Sequence, residues 1–239
     1  MTPLERIRIE KAAADCGFER EPVVNEHGKL ELRSATFPEV VYVWVAAPVA
    51  YRITASLPSL LASAENGEIS VDSIDELYKV LQQAAAVART LPNQVVEQFK
   101  SKTQNLPQTT EVERMVVQRV GQNLFRNALL EFWEGRCCVT GLAIPALLRA
   151  SHIKPWAKCT SDLERLDVFN GLLLAPHLDA LFDGGWISFS HQGELLVSQQ
   201  LTAAARAQLG MSLQWSIKNL TSAHQGYLAY YREHEFRTA

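Results

Sequence analysis

The hydrophobic positions of the chain change period several times, and each change marks a different element. Residues 3 to 16 set Leu4, Ile7, Ile9, Ala12 and Ala13 among charged residues at helical spacing, which predicts a helix stopping at Gly17. From 29 to 56 the period shortens. KLELRS alternates and EVVYVWVA is rich in β-branched and aromatic residues, so two or three strands are expected, punctuated by Pro38 and Pro48. Helical spacing returns over 73 to 104, where Ile74, Leu77, Val80, Leu81 and Ala84 share a face. Pro92 separates that helix from a short one ending near Lys102.

The polar segment from Thr103 to Thr110 contains a proline and has no period, which marks a boundary between domains of 1–105 and 106–239. Thr110 and Glu113 then form a capping-box pair opening a helix to Trp133. Its expected buried stripe is Val116, Val120, Leu124, Ala128 and Leu129. Arg114, Arg119 and Arg126 lie off it, on a face that is either solvated or turned to phosphate. Residues 136 to 156 read as a turn and two short strands, and 157 to 169 as a polar loop. Pro176 can open a helix that Gly184-Gly185 closes. WISFSHQGELLVS reads as a hairpin turning near Gln192-Gly193, and 201 to 236 as mostly helical, with Tyr227, Tyr230 and Tyr231 packing. The fold class is therefore α+β.

A hydrophobic fraction of 47% and a charged fraction of 21% fit a folded chain with a real core. The net charge of −3 hides an asymmetry: residues 114–165 hold eight basic against four acidic residues, and residues 1–110 hold eleven against fourteen. Positive charge thus concentrates around one stretch, as a local nucleic-acid contact requires. The four cysteines, Cys16, Cys137, Cys138 and Cys159, show no paired C-x-x-C spacing, so neither a disulfide framework nor a structural zinc is expected. With no apolar signal core and no apolar run of 18 residues, the chain is expected in the cytoplasm without a membrane span.

The candidate chemistry lies between Cys137 and Asp183. A phosphodiesterase site with one metal needs a neutral imidazole to take a proton from water and a cation to neutralise the leaving oxygen. His152 suits the first role. Asp179 and Asp183, four apart on a helix, suit the second. Hard carboxylates favour Mg²⁺ or Mn²⁺, and a histidine ligand extends the choice to Ni²⁺, Co²⁺ or Zn²⁺. Arg149, Lys154 and Arg165 flank the base and are read as contacts to the substrate backbone. Trp156 is expected to pack, His191 and His224 to lie at the surface, and Cys159 not to act as a nucleophile.

Cys137-x-x-Thr-Gly, Ala150-Ser-His-Ile-Lys-Pro-Trp156 and Asn170-Gly-Leu-Leu-Leu-x-Pro-His-Leu-Asp-x-Leu-Phe-Asp183 together resemble the HNH endonucleases, in the subgroup often attached to restriction-type nucleases. The resemblance is dense over 136–189. It implies a ββα-metal domain with flanking helices that cuts DNA, after a small α+β domain for target choice, partner binding or dimerisation. His152 matches the family's general base and Asn170 the asparagine that fixes the loop and orients that base. Asp179 and Asp183 match positions where many members hold a divalent metal. Two departures stand out: Ser151 replaces the usual Asp or His before the base, and His177 lies two residues before the place of the family's last histidine. His177 is then a metal ligand or a phosphate contact. Those departures also allow a catalytically degenerate HNH-fold module that only binds DNA. An RNase or structure-specific nuclease is the third reading, and restriction or defence the role the resemblance suggests.

Overall fold

The computed structural model describes residues 1–239 except 47–49, 62, 63, 65, 66, 108, 218, 219 and 239; Pro48 and one position of the 103–110 segment therefore lie outside the described residues. The chain divides into two compact units, Met1–Arg89 and Thr90–Ala239.

In the first unit, α1 (Pro3–Asp15) opens on a capping box between Thr2 and Glu5. It buries Ile9, Ala12 and Ala13 but leaves Leu4 and Ile7 exposed, so its apolar face is narrower than the spacing predicts. The chain turns at Gly17, where φ is +99°. Five strands follow as an antiparallel meander: β1 (Arg20–Val24), β2 (Leu30–Arg33), β3 (Val41–Ala46), β4 (Ala50–Ala55) and β5 (Glu68–Val71). Strands β2 to β4 are those expected from the alternation, with Leu30, Leu32, Val41, Val43, Tyr51 and Ile53 buried on one face. β1 and β5 escape the pattern because they are sheet edges with no buried residue, so no period of two is imposed on them. Helix α2 (Ile74–Thr90) adds Leu77, Leu81, Ala84 and Ala85 to the core.

In the second unit, α3 (Pro92–Thr103) packs on α4 (Glu111–Phe132). The division between units thus falls earlier in the chain than the polar segment 103–110, because Val95, Val96 and Phe99 give α3 a buried face within this unit. The capping box of Thr110 and Glu113 opens α4. Leu124, Phe125, Ala128, Leu129 and Phe132 are its buried face, while Val116 near its start is exposed.

Next come β6 (Arg149–His152), α5 (Asp162–Arg165), β7 (Gly171–Leu174) and α6 (Pro176–Asp183), with β6 and β7 antiparallel. Only one of the two strands expected between 136 and 156 is there. Its partner is the apolar run after Asn170, which shows no alternation because all four of its residues are buried. Gly171 lies so close to α4 that a Cβ would sit 2.5 Å from Phe125 and 2.8 Å from Leu129. The hairpin of β8 (Ile187–Phe189) and β9 (Leu195–Val197) turns at Gly193, as its sequence predicts. Among the described residues the tail is helical only over α7 (Ala203–Gln208), a 3-10 turn at Ser222–His224 and α8 (Gln225–His234).

His224, expected at the surface, is instead fully buried against the rings of Phe132, Trp133 and Phe169. Its Nδ1 accepts the Thr221 amide at 3.2 Å, and its buried Nε2 has no hydrogen-bond partner among the described residues. Burial pushes its pKa from 6.5 down to about 4. The unfolded chain therefore takes up a proton below pH 6.5 that the folded chain refuses until about 4, and stability falls as pH drops through that window. Between pH 7 and pH 4.5, wild type should lose about 2 kcal/mol relative to His224→Phe, measured by denaturant unfolding at both pH values. A gap that does not change with pH would show that the buried ring does not titrate.

Candidate active site around β6

His152 is the last residue of β6, and its ring is held on three sides. It stacks on Phe125 of α4 with centroids 3.8 Å apart at 15°, and Trp156 meets it edge-on at 5.5 Å. Its Nε2 lies 2.8 Å from the backbone carbonyl of Arg165. A carbonyl only accepts, so Nε2 carries the proton and the Nδ1 lone pair is left as the basic site. Burial lowers the imidazole pKa against the opposing pull of that carbonyl, which keeps the ring neutral near pH 7. A neutral, oriented, half-buried imidazole is the form in which histidine accepts a proton.

The carbonyl that fixes His152 belongs to the loop between β6 and β7, and Asn170 holds that loop. Asn170 has no exposed surface. Its Oδ1 accepts the Lys154 amide at 2.8 Å; its Nδ2 donates to the Glu164 carbonyl at 3.0 Å and the Lys154 carbonyl at 3.2 Å. One side chain thus ties the exit of β6 to the residue before Arg165. The loop, expected as polar and irregular, contains α5, which Ser161 caps by accepting the Glu164 amide at 3.2 Å. Asp167 caps the 3-10 turn Val168–Asn170 by accepting the Phe169 amide at 2.9 Å.

Side chains alternate along a strand, and here the alternation gives two adjacent residues different partners. Ser151 faces α6, where its hydroxyl donates to Asp179 Oδ1 at 2.5 Å; His152 faces α4. The candidate metal residues Asp179, His177 and Asp183 do not converge. His177 and Asp183 are exposed, His177 beside Trp215, and among the described residues no group of three or more His, Cys, Asp or Glu is placed to hold a metal ion. Only the Asp179 carboxylate and the Ser151 hydroxyl come together. A carboxylate and a hydroxyl are the kind of oxygen ligands a hard divalent cation takes.

The flanking cations divide as well. Arg149 is exposed at the start of β6. Lys154 is paired with Glu164 at 2.5 Å and lies over the Tyr230 ring, and Arg165 donates to Asp162 and to the Cys159 carbonyl, each at 2.9 Å, so both brace the loop. Arg126, read as solvated or phosphate-facing, donates to the carbonyls of Leu148 at 2.7 Å and Pro145 at 2.8 Å and fixes the turn leading into β6. The four cysteines are free and buried. Cys137 Sγ accepts the amides of Thr140 at 3.4 Å and Ala175 at 3.3 Å, closing its turn by hydrogen bonds. Burial raises the Cys159 thiol, the opposite of what a nucleophile needs.

Sequence reasoning missed Phe125, Glu164, Asp167 and Tyr227. Glu164 had a signal in Ser161-x-x-Glu164, a capping-box spacing. Asp167 caps a turn locally, and its contact with Tyr227, like the contact of Phe125 with His152, joins residues distant in the chain and had no signal.

Residues 137–190 match the model of a family described as HNH endonuclease. No curated protein matches the chain. The matched segment contains β6, β7 and α6 in the order strand, strand, helix, so the chain carries an HNH endonuclease domain in its C-terminal half.

Asn170→Ala would leave the Lys154 amide and the Glu164 carbonyl without their partner. A loss of about 2 kcal/mol or more is expected by urea unfolding, since a buried group left unsatisfied costs about 1–3 kcal/mol. An unchanged midpoint would show that the loop holds itself.

Proposed function

We propose that this protein is a divalent-metal-dependent endonuclease that hydrolyses DNA phosphodiester bonds. One observation carries the reading: an oriented, neutral imidazole and an acidic oxygen pair lie on opposite faces of β6. In-line displacement at phosphorus needs a base on the side of the attacking water and a cation on the side of the leaving oxygen, and neighbouring residues of β6 supply a group suited to each. β6 pairs only with β7 among the described residues, so no strand lies along its other edge.

His152 takes a proton from water at Nδ1 as the water oxygen bonds to phosphorus and the bond to the leaving oxygen breaks. The proton stays on the imidazole, and the leaving oxygen departs on the side of Asp179 and Ser151. Asp179, with Ser151 beside it, would hold a divalent cation, which would neutralise charge on the phosphate and the leaving oxygen. Arg149, exposed beside the site, suits backbone contact. The first unit, with its separate core, suits target choice, partner binding or dimerisation.

Plasmid cleavage in Mg²⁺, Mn²⁺ or Ni²⁺ tests the reading. His152→Ala should cut about 10²- to 10⁴-fold more slowly than wild type, the range a general base contributes. Equal rates would remove His152 from the chemistry. One observation favours a second reading, a degenerate domain that binds DNA without cutting: no group of three or more metal-type side chains assembles among the described residues. Salt-sensitive DNA binding by wild type with no cleavage in any of the three metals would select it.

A further inference from the structure

The C-terminal helix α8 lies outside the segment that matches the family, yet it reaches the base-holding loop. The Tyr227 hydroxyl donates to Asp167 Oδ2 at 2.9 Å. The other oxygen of that carboxylate accepts the Phe169 amide at 2.9 Å, and the Asp167 carbonyl accepts the Asn170 amide at 2.9 Å. Asn170 in turn grips the Glu164 carbonyl, one residue before the carbonyl that receives His152 Nε2. Hydrogen bonds joined by short stretches of covalent chain thus link α8 to the imidazole. Burial raises the Asp167 pKa while the Phe169 amide and the Tyr227 hydroxyl draw it down, so the carboxylate depends on both partners.

We propose that Tyr227 is a positioning residue for His152, acting through Asp167 and the Asn170 turn. The inference rests on the assignment of His152 as the base and adds a requirement for a tail residue. It also gives the three tyrosines of α8 different tasks. Tyr227 holds the loop; Tyr230 lies under Lys154; Tyr231 stacks on Phe182 at 4.1 Å and its hydroxyl donates to the Phe182 carbonyl, which docks the helix on α6. Removing the Tyr227 hydroxyl should loosen the base, whereas removing the Tyr231 hydroxyl should loosen only the docking.

The test uses the full chain labelled with ¹⁵N-histidine, in which the His152 Nε2–H resonance is identified by its loss in His152→Ala. In Tyr227→Phe, solvent exchange of that proton should be about tenfold faster, the consequence of losing one buried hydrogen bond to a charged group. Asp167→Ser should behave alike, because serine still caps the turn but is too short to reach Tyr227, and it serves if Tyr227→Phe does not fold. Tyr231→Phe should exchange at the wild-type rate. Wild-type exchange in both Tyr227→Phe and Asp167→Ser would overturn the proposal, as would equal acceleration in Tyr231→Phe. Where wild type cleaves DNA, Tyr227→Phe should lower kcat with KM unchanged. If wild type cuts no DNA, the nuclease reading fails while the exchange measurement still decides the link from Tyr227 to His152.

Discussion

The buried carboxamide of Asn170 is the constraint on which the rest of the site depends. An amide can satisfy backbone donors and acceptors at once, and Asn170 uses both ends, on Lys154 and on Glu164. Without such a link, the excursion from β6 to β7 would have to order itself through short elements of three or four residues. With it, the Arg165 carbonyl has a fixed place, and so does the imidazole it receives. The orientation of His152 is therefore a property of the loop at least as much as of the strand that carries it.

The strand contributes a division of labour. Because neighbouring side chains on β6 leave by opposite faces, Ser151 and His152 meet different partners although they are adjacent in sequence. Close packing fixes the face of His152: Gly171 opposite it in the ladder has no Cβ, and Phe125 fills that place and stacks on the imidazole. A larger residue at 171 would displace the aromatic wall against which the His152 ring is stacked and partly buried. The other face is less constrained, with one carboxylate and one hydroxyl in contact.

What the sequence made legible follows from which forces are local. Capping at Thr110, the alternation in β2 to β4 and the turn at Gly193 depend on near neighbours and were readable. The motif residues from Cys137 to Asp183 were readable through their order. β7 was not, because burial of all four residues erases alternation. His224 was read as a surface residue because nothing beside it in the chain signals the aromatic pocket that Phe132, Trp133 and Phe169 assemble around it. The spacing of Asp179 and Asp183 gave them a common helix face, but a common face does not bring ligands to one point, and His177 and Asp183 remain in solvent.

The contact of Tyr227 with Asp167 bears on how such a domain is moved between proteins. The motif segment ends well before α8, so a graft cut to the motif boundaries would transfer the recognisable residues and leave behind a strut of their loop. The transferable piece is longer than the recognisable one. In recombination, natural or engineered, this domain travels as a unit only if its tail travels with it.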